Sequence, residues 1–260
     1  MKQLLTVVGT LALALFFVGC SDEKREFLSP KQGEVVLDAN TDEYSLNGKV
    51  IGKTVADEPK NEGLLIKSLS SELNALRKQT TIEKVKFHFD DNLSYNEFYR
   101  FIATAGFSGF TSMQYVIGSE YNNVYEVSLP ERNSYNSTRE ILRLFTAKKE
   151  KKLTNEEMDK FIKESEQRAK NYINLSLSID RRNDKFSYVF GFKGLTTFER
   201  LDDLWKFIED VRHRRELQDK EDKDRIILVS RMYFRLKDIA PIIRKLTEFG
   251  YKINFAYSSQ

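Results

Sequence analysis

The sequence predicts an α+β protein: two similar β-β-α-β-α-β two-layer domains, helices packed on a small mixed sheet, joined by a charged helical linker. Three observations lead there. Alternating apolar residues mark short strands, and apolar residues at i, i+3, i+4 and i+7 mark amphipathic helices. The order of these signals then recurs once along the chain. A length of 260 residues allows one or two domains. Lys plus Arg (42) nearly cancel Asp plus Glu (39), so the net charge of +3 gives no electrostatic case for nucleic acid as a partner. The single Cys, Cys20, excludes an intramolecular disulfide and a thiolate zinc site, and two His leave a His-based site short of ligands. No metal and no cofactor is expected.

Residues 1–19 read as a signal peptide. Met1-Lys2-Gln3 is a positive start, and Leu4 to Val18 is a charge-free apolar run of 15 residues. That run is shorter than the ~20 residues of a comfortable membrane-spanning helix. Phe17-Val18-Gly19-Cys20 resembles a bacterial lipobox, in which cleavage before the Cys is coupled to diacylation of its thiol. The resemblance implies that Cys20 carries the lipid and anchors the chain, each buried methylene contributing ~0.8 kcal/mol. Ser21 rather than an acid follows the Cys, which favours the outer membrane. Residues 20–33 are then a tether, in a protein of the bacterial cell envelope that faces the periplasm.

The first domain spans 34–130. Glu34-Val-Val-Leu-Asp38 and Tyr44-Ser-Leu-Asn-Gly48 read as two strands, with Asn47-Gly48 as a turn signal. Ile66, Leu69 and Leu73 form the stripe of a helix, and Val85 and Phe87 alternate in a strand. Ser94-Tyr-Asn-Glu97 is a capping box that opens a helix with the stripe Phe98, Phe101, Ile102 and Ala105. Gly109 ends that helix and leads into the last strand. The spacing also assigns Phe107 and Phe110 to the core.

The second domain spans 171–260. A shift of 141 places Val85 and Phe87 on Ile226 and Leu228, Phe98 on Ile239, Ala105 on Leu246 and Gly109 on Gly250. Upstream, Ile173 to Asp180 and Lys185 to Phe192 read as a strand pair, and Leu204, Phe207 and Val211 as a helical stripe. Pro241 lies inside the last helix, so that helix is expected to begin late or to kink. Between the domains, residues 131–170 read as two charged helices, over about 138–149 and about 155–170, with capping boxes at Ser137 and Thr154.

An Asn-Gly hairpin, a helix, a strand, a capped helix ending in Ala-Gly-Phe-x-x-Phe and a last strand together resemble the periplasmic domain of the ExbD/TolR family. Leu64 to Gly118 carries the resemblance, above all Phe98 to Phe110, and Leu201 to Tyr257 repeats it. It implies a place beside energy-transducing biopolymer transport, with ExbB/TolQ-like or TonB/TolA-like proteins or peptidoglycan as partners. The family's membrane helix carries an Asp on the proton path, whereas Leu4 to Val18 contains no acid. What the resemblance leaves is a doubled, non-catalytic interaction module on a lipid anchor. The alternatives are a membrane-anchored transport subunit with its N-terminal segment uncleaved, and a peptidoglycan-binding envelope protein.

Single residues add little chemistry. His88 faces opposite to Phe87 and reads as a surface strand residue, and His213 sits at a helix end among arginines. Asp90-Asp91-Asn92 with Glu97 reads as a polar turn rather than a Ca²⁺ loop. Tyr115, Tyr121 and Tyr125 read as core or edge packing, with a glycan- or peptide-binding groove as the alternative.

Overall fold

A computed structural model describes residues 22–54, 65–79, 81–82, 84–127, 154, 156, 160, 175–182, 185–220 and 223–258. The signal peptide and lipobox lie outside these residues, as does the 131–170 linker apart from Thr154, Glu156 and Lys160. Among the described residues no helix is long and apolar enough to cross a membrane. The chain is α+β, with two mixed sheets of six and five strands. It divides into two units: 1–127, 231–245 and 259–260 form the first, and 128–230 and 246–258 the second.

In the first unit, α1 (22–28) precedes β1 (Glu34–Ala39), β2 (Glu43–Leu46) and β3 (Lys49–Lys53). Then come α2 (Lys67–Gln79), β4 (Lys84–Phe89), α3 (Tyr95–Phe107), β5 (Ser112–Ile117) and β6 (Tyr125–Glu126). The strand order is β3-β2-β1-β4-β5-β6. β1, β4 and β5 run parallel, and β2, β3 and β6 are antiparallel to their neighbours. Asn47 (φ 49°) and Gly48 (φ 78°) make the β2–β3 turn, where both central residues need positive φ. Alternation sends Val35, Leu37, Ala39, Val85, Phe87, Phe89, Met113, Tyr115 and Ile117 into the core with Leu69, Leu73, Phe98 and Phe101. The core is aromatic: Phe89 meets Phe98 edge-on at 5.0 Å, Phe98 meets Tyr115 at 5.5 Å and Tyr44 meets Phe101 at 5.1 Å.

In the second unit, β7 (Leu175–Arg182), β8 (Lys185–Gly191) and β9 (Leu195–Phe198) precede α4 (Leu201–Arg212), α5 (Arg215–Gln218) and β10 (Arg225–Arg231). The last elements are α6 (Leu236–Glu248), whose residues divide between the units, and β11 (Lys252–Ser258). The strand order β9-β8-β7-β10-β11 repeats the first sheet position for position, without a counterpart of β6 among the described residues. Leu175, Leu177, Ile179, Phe190, Leu204, Ile208, Ile226 and Leu228 are buried, and the Phe207 ring of α4 lies 5.8 Å from Phe190 and 5.2 Å from Phe198.

The register sets the two cores side by side. Ala39 lies beside Phe89 in the first sheet, and the corresponding partners in the second are Ile179 and Ser230. All four are buried. The first sheet sets a small residue beside a large one and the second a large one beside a small one, so the volume of the layer is nearly the same.

Three expectations change. Each half has three N-terminal strands rather than two, because β3 and β9 are added at the sheet edges. Lys49-Val-Ile-Gly-Lys53 hides its alternation behind two lysines and a glycine, and Leu195-Thr-Thr-Phe198 is only four residues long. Phe107 is 68% exposed rather than core. It lies nine residues after Phe98, half a turn round the helix from that stripe. Of the two alternatives for α6, the late start does not hold, since the helix begins at Leu236, ahead of Pro241. Phe207 is half-buried, and Ile208 takes the fully buried place on the α4 stripe.

Candidate functional site

The strongest concentration of polar chemistry lies on the face of the first sheet turned away from its helices. Burying Val35, Leu37 and Ala39 on one side of β1 sends Glu34, Val36 and Asp38 to the other. In β4 the same alternation sends out Lys84, Lys86 and His88, and the parallel register sets Glu34 beside Lys84 and Asp38 beside His88. Lys86 Nζ is 3.1 Å from Glu34 Oε2, and Lys84 Nζ is 3.9 Å from Glu34 Oε1. Burial pushes the Glu34 carboxyl up, but the hydrogen bond and charge of Lys86, with smaller help from Lys31 and Lys84, hold it below its ordinary value.

Across this face lies the tether. Phe27 of α1 is only 8% exposed and packs with Val116 and Tyr121, Leu28 lying at the margin. Lys86 Nζ sits 4.9 Å from the centre of the Phe27 ring, a cation–π contact that ties the salt bridge to the tether. Tyr121 stacks on His88 at 5.3 Å and 19°, and its hydroxyl is 3.0 Å from His88 Nε2. His88 Nδ1 is 2.7 Å from Asp38 Oδ1, and Nε2 is 2.9 Å from the Gly118 carbonyl oxygen.

These partners fix what the cluster can do. A carbonyl oxygen only accepts, so Nε2 carries a hydrogen toward Gly118. A ring nitrogen that donates is not a general base. Nδ1 faces the Asp38 carboxyl, so both ring nitrogens are occupied within the cluster. Burial, followed by the Asp38 charge, pushes the Tyr121 hydroxyl up to about 12, away from the reactive phenolate. Asp38, His88 and Tyr121 form a closed post that supports Phe27.

A second arrangement sits within the first unit, where residues 91–96 meet 232–237. Tyr95 N–H donates to Phe234 O (2.7 Å) and Leu236 N–H to Leu93 O (2.9 Å). Asn96 N–H donates to Met232 O (3.1 Å) and Lys237 N–H to Asp91 O (2.7 Å). Every donor and acceptor of one bond lies 141 positions from its counterpart in the other, and Ser94 forms an isolated antiparallel bridge with Arg235, its own equivalent. The first amides of α3 and α6, which a lone helix leaves without partners, thus cap each other's loops. They are not turned toward an anion. The side-chain caps are shared out as well. Ser94 Oγ accepts the Glu97 N–H at 3.2 Å, and Asp238 Oδ2 accepts the Arg235 N–H at 3.3 Å, so each copy keeps one half of a capping box.

Cys20 with Phe17, Val18 and Gly19 lies outside the described residues. His88 is on the face expected of it but is not a surface residue, its side chain being 13% exposed. His213 caps the C-terminus of α4. Asp90 accepts the Asn92 N–H, as a polar turn does, and buried Glu97 pairs with Arg100 at 3.1 Å. Tyr115, Tyr121 and Tyr125 are buried at 1%, 8% and 6%, so their faces do not line a groove. Sequence reasoning missed Phe27 and Asp38. The available signal was parity, since Asp38 and His88 both stand opposite the apolar positions of adjacent parallel strands.

No family model and no curated protein matches the chain. Among solved structures, a Bacteroides thetaiotaomicron protein described as having an actin-like ATPase fold and unknown function is 10% identical over 86% of this chain and 90% of that one, with a TM-score of 0.22. The type II variant of the Aquifex aeolicus Ppx/GppA phosphatase is 11% identical over 75% and 66%, with a TM-score of 0.20. At such scores neither likeness carries an argument about this chain.

Proposed function

We propose that this protein is a cell-envelope lipoprotein whose ExbD/TolR-like halves serve as a non-catalytic interaction module beside an energy-transducing biopolymer transport system. The observation that carries the reading is the docked tether. Phe27 is seven residues from Cys20 and is held in an aromatic and cationic seat on the first sheet. With five helical steps of ~1.5 Å in α1 and two further steps of up to ~3.4 Å each, an acyl group on Cys20 would thereby bring a folded domain to within about 14 Å of the lipid surface. Polar groups beside the tether are spent on holding it, and the α3 and α6 amides are spent on capping. Binding is then left to sheet edges and exposed loops.

Mass spectrometry of the mature N-terminus tests the anchor. Diacylated Cys20 as the first residue is the expected result, and an intact Met1–Cys20 segment would turn the reading toward an uncleaved transport subunit. Affinity capture from membranes tests the partner: recovery of an ExbB/TolQ-like or TonB/TolA-like protein is expected. Cosedimentation with peptidoglycan instead would move the role to wall binding.

A further inference from the structure

Helix α1 is fastened to the first sheet by one side chain. Phe27 is buried, Glu23 and Leu28 are half-buried, and the other four residues of 22–28 are exposed. Seven residues are far short of the ~12–15 at which an isolated helix becomes marginally stable in water. Docking of Phe27 and folding of α1 are therefore one event. Two further contacts close within the tether itself. Ser29 Oγ donates to the Arg25 carbonyl oxygen at 2.7 Å, and Lys31 Nζ is 3.6 Å from Glu26 Oε1. Residues 29–32, which join the helix to the sheet, are exposed.

The seat stands without its occupant. The Lys86–Glu34 bridge, the contacts of His88 with Asp38 and Gly118, and the Tyr121 stack all lie within residues 34–121 and use no atom of α1. A socket held in this way persists when Phe27 leaves and takes it back unchanged. Ordering the backbone of α1 opposes docking, and burial of one ring favours it, so neither state has a large surplus.

We infer that α1 is a strap that exchanges between a docked helix and a released, extended tether, and so sets the height of the folded domain above the lipid. Docked, Phe27 holds the domain within about 14 Å of Cys20, as above. Released, the next fixed residue is Glu34, fourteen residues after Cys20, and the reach grows to about 48 Å at ~3.4 Å per residue. The interaction module then meets partners close to the membrane or farther from it without leaving its anchor. The height rests on the lipid anchor proposed above; the exchange does not.

The test is a pair of spin labels in the full chain, on K24C of α1 and V50C of β3, both exposed positions. A docked helix gives one narrow distance and a released one a broad distribution. Both components are expected with Phe27 in place, and the broad one alone in F27A. A single component with Phe27 in place, or a narrow one that persists in F27A, overturns the exchange. Neutron reflectometry of the same chains on a supported bilayer reads the height. The F27A layer should lie farther out, by up to about 34 Å, and equal heights overturn the spacing role. The number of labels judges the anchor separately. Acylation consumes the thiol of Cys20, the only native Cys, and leaves two labels per chain. A third label counts against acylation, and C20S then restores a two-label chain in which the exchange is judged.

Discussion

The two sheets share a strand order and differ in the face they turn away from their helices. In the first sheet that face holds Asp38 against His88 and Lys86 next to Val36, under Phe27. In the second, the corresponding neighbours are Ser178 against Val229 and Ser176 against Ile227. The helix-covered side is apolar in both sheets, with Ala39–Phe89 in the first where Ile179–Ser230 stands in the second. The outer side differs between them. Packing constrains one face of a half-buried sheet, and the other is available for whatever the copy has to hold. Here the first copy holds the tether.

The largest expected effect breaks the comparison on the helix side. Phe89→Ser, which installs the residue of the second copy, should destabilise the chain by about 3–5 kcal/mol, as for emptying a buried Phe site. Adding Ala39→Ile completes the swap and should recover part of that loss. A double-mutant cycle from denaturant unfolding measures the coupling, and strict additivity would show that the two positions do not share a volume.

On the outer side, Phe27→Ala removes the anchor of α1. The burial of one such side chain corresponds to about 1.5–3 kcal/mol. Residues 22–28 should then become cleavable by protease while the sheet keeps its protection. Uniform loss of protection would mean that the tether is part of the core.

Replacing His88 by Val, as at position 229, leaves the Gly118 carbonyl without its donor and Asp38 without its partner, and should cost about 1–3 kcal/mol. The double change Asp38→Ser with His88→Val reproduces the second copy and should cost less than His88→Val alone. Thermal unfolding of the three variants measures this.

The smallest effect is on pH. Net interactions hold Glu34 in the first unit and Asp224 in the second below their ordinary values. Burial is the largest single influence on each and acts upward, but it is outweighed by Lys86 for Glu34 and by Lys252 for Asp224. A carboxyl lowered on folding contributes stability above its unfolded pKa, and that contribution is lost as pH falls through the folded value. Tether protection should therefore weaken in the acid range, and Glu34→Gln should flatten that dependence.

Much of the fold was legible because its signals are local. Ser94 capped its helix, Gly109 and Gly250 took positive φ, and Asn47-Gly48 closed a hairpin. The duplicated order of elements was legible from stripes such as Phe98–Phe101–Ala105 against Ile239–Ile242–Leu246, all buried. The edge strands were not, because Lys49–Lys53 and Leu195–Phe198 carry little apolar alternation of their own and are strands by virtue of their neighbours. The tether seat was hidden for a similar reason. Phe27 lies in a charged segment, and its burial depends on Val116 and Tyr121, about ninety residues away along the chain.

Amide hydrogen exchange of the native full chain is the most direct test of a fold written twice. First-turn helix amides ordinarily exchange fast, since they have no intrahelical acceptor. The hydrogen bonds related by the 141-residue shift require Tyr95, Asn96, Leu236 and Lys237 all to be protected, each to a degree similar to its counterpart. Exchange of any equivalent pair at the rate of an open helix end would contradict the symmetry on which the rest is built.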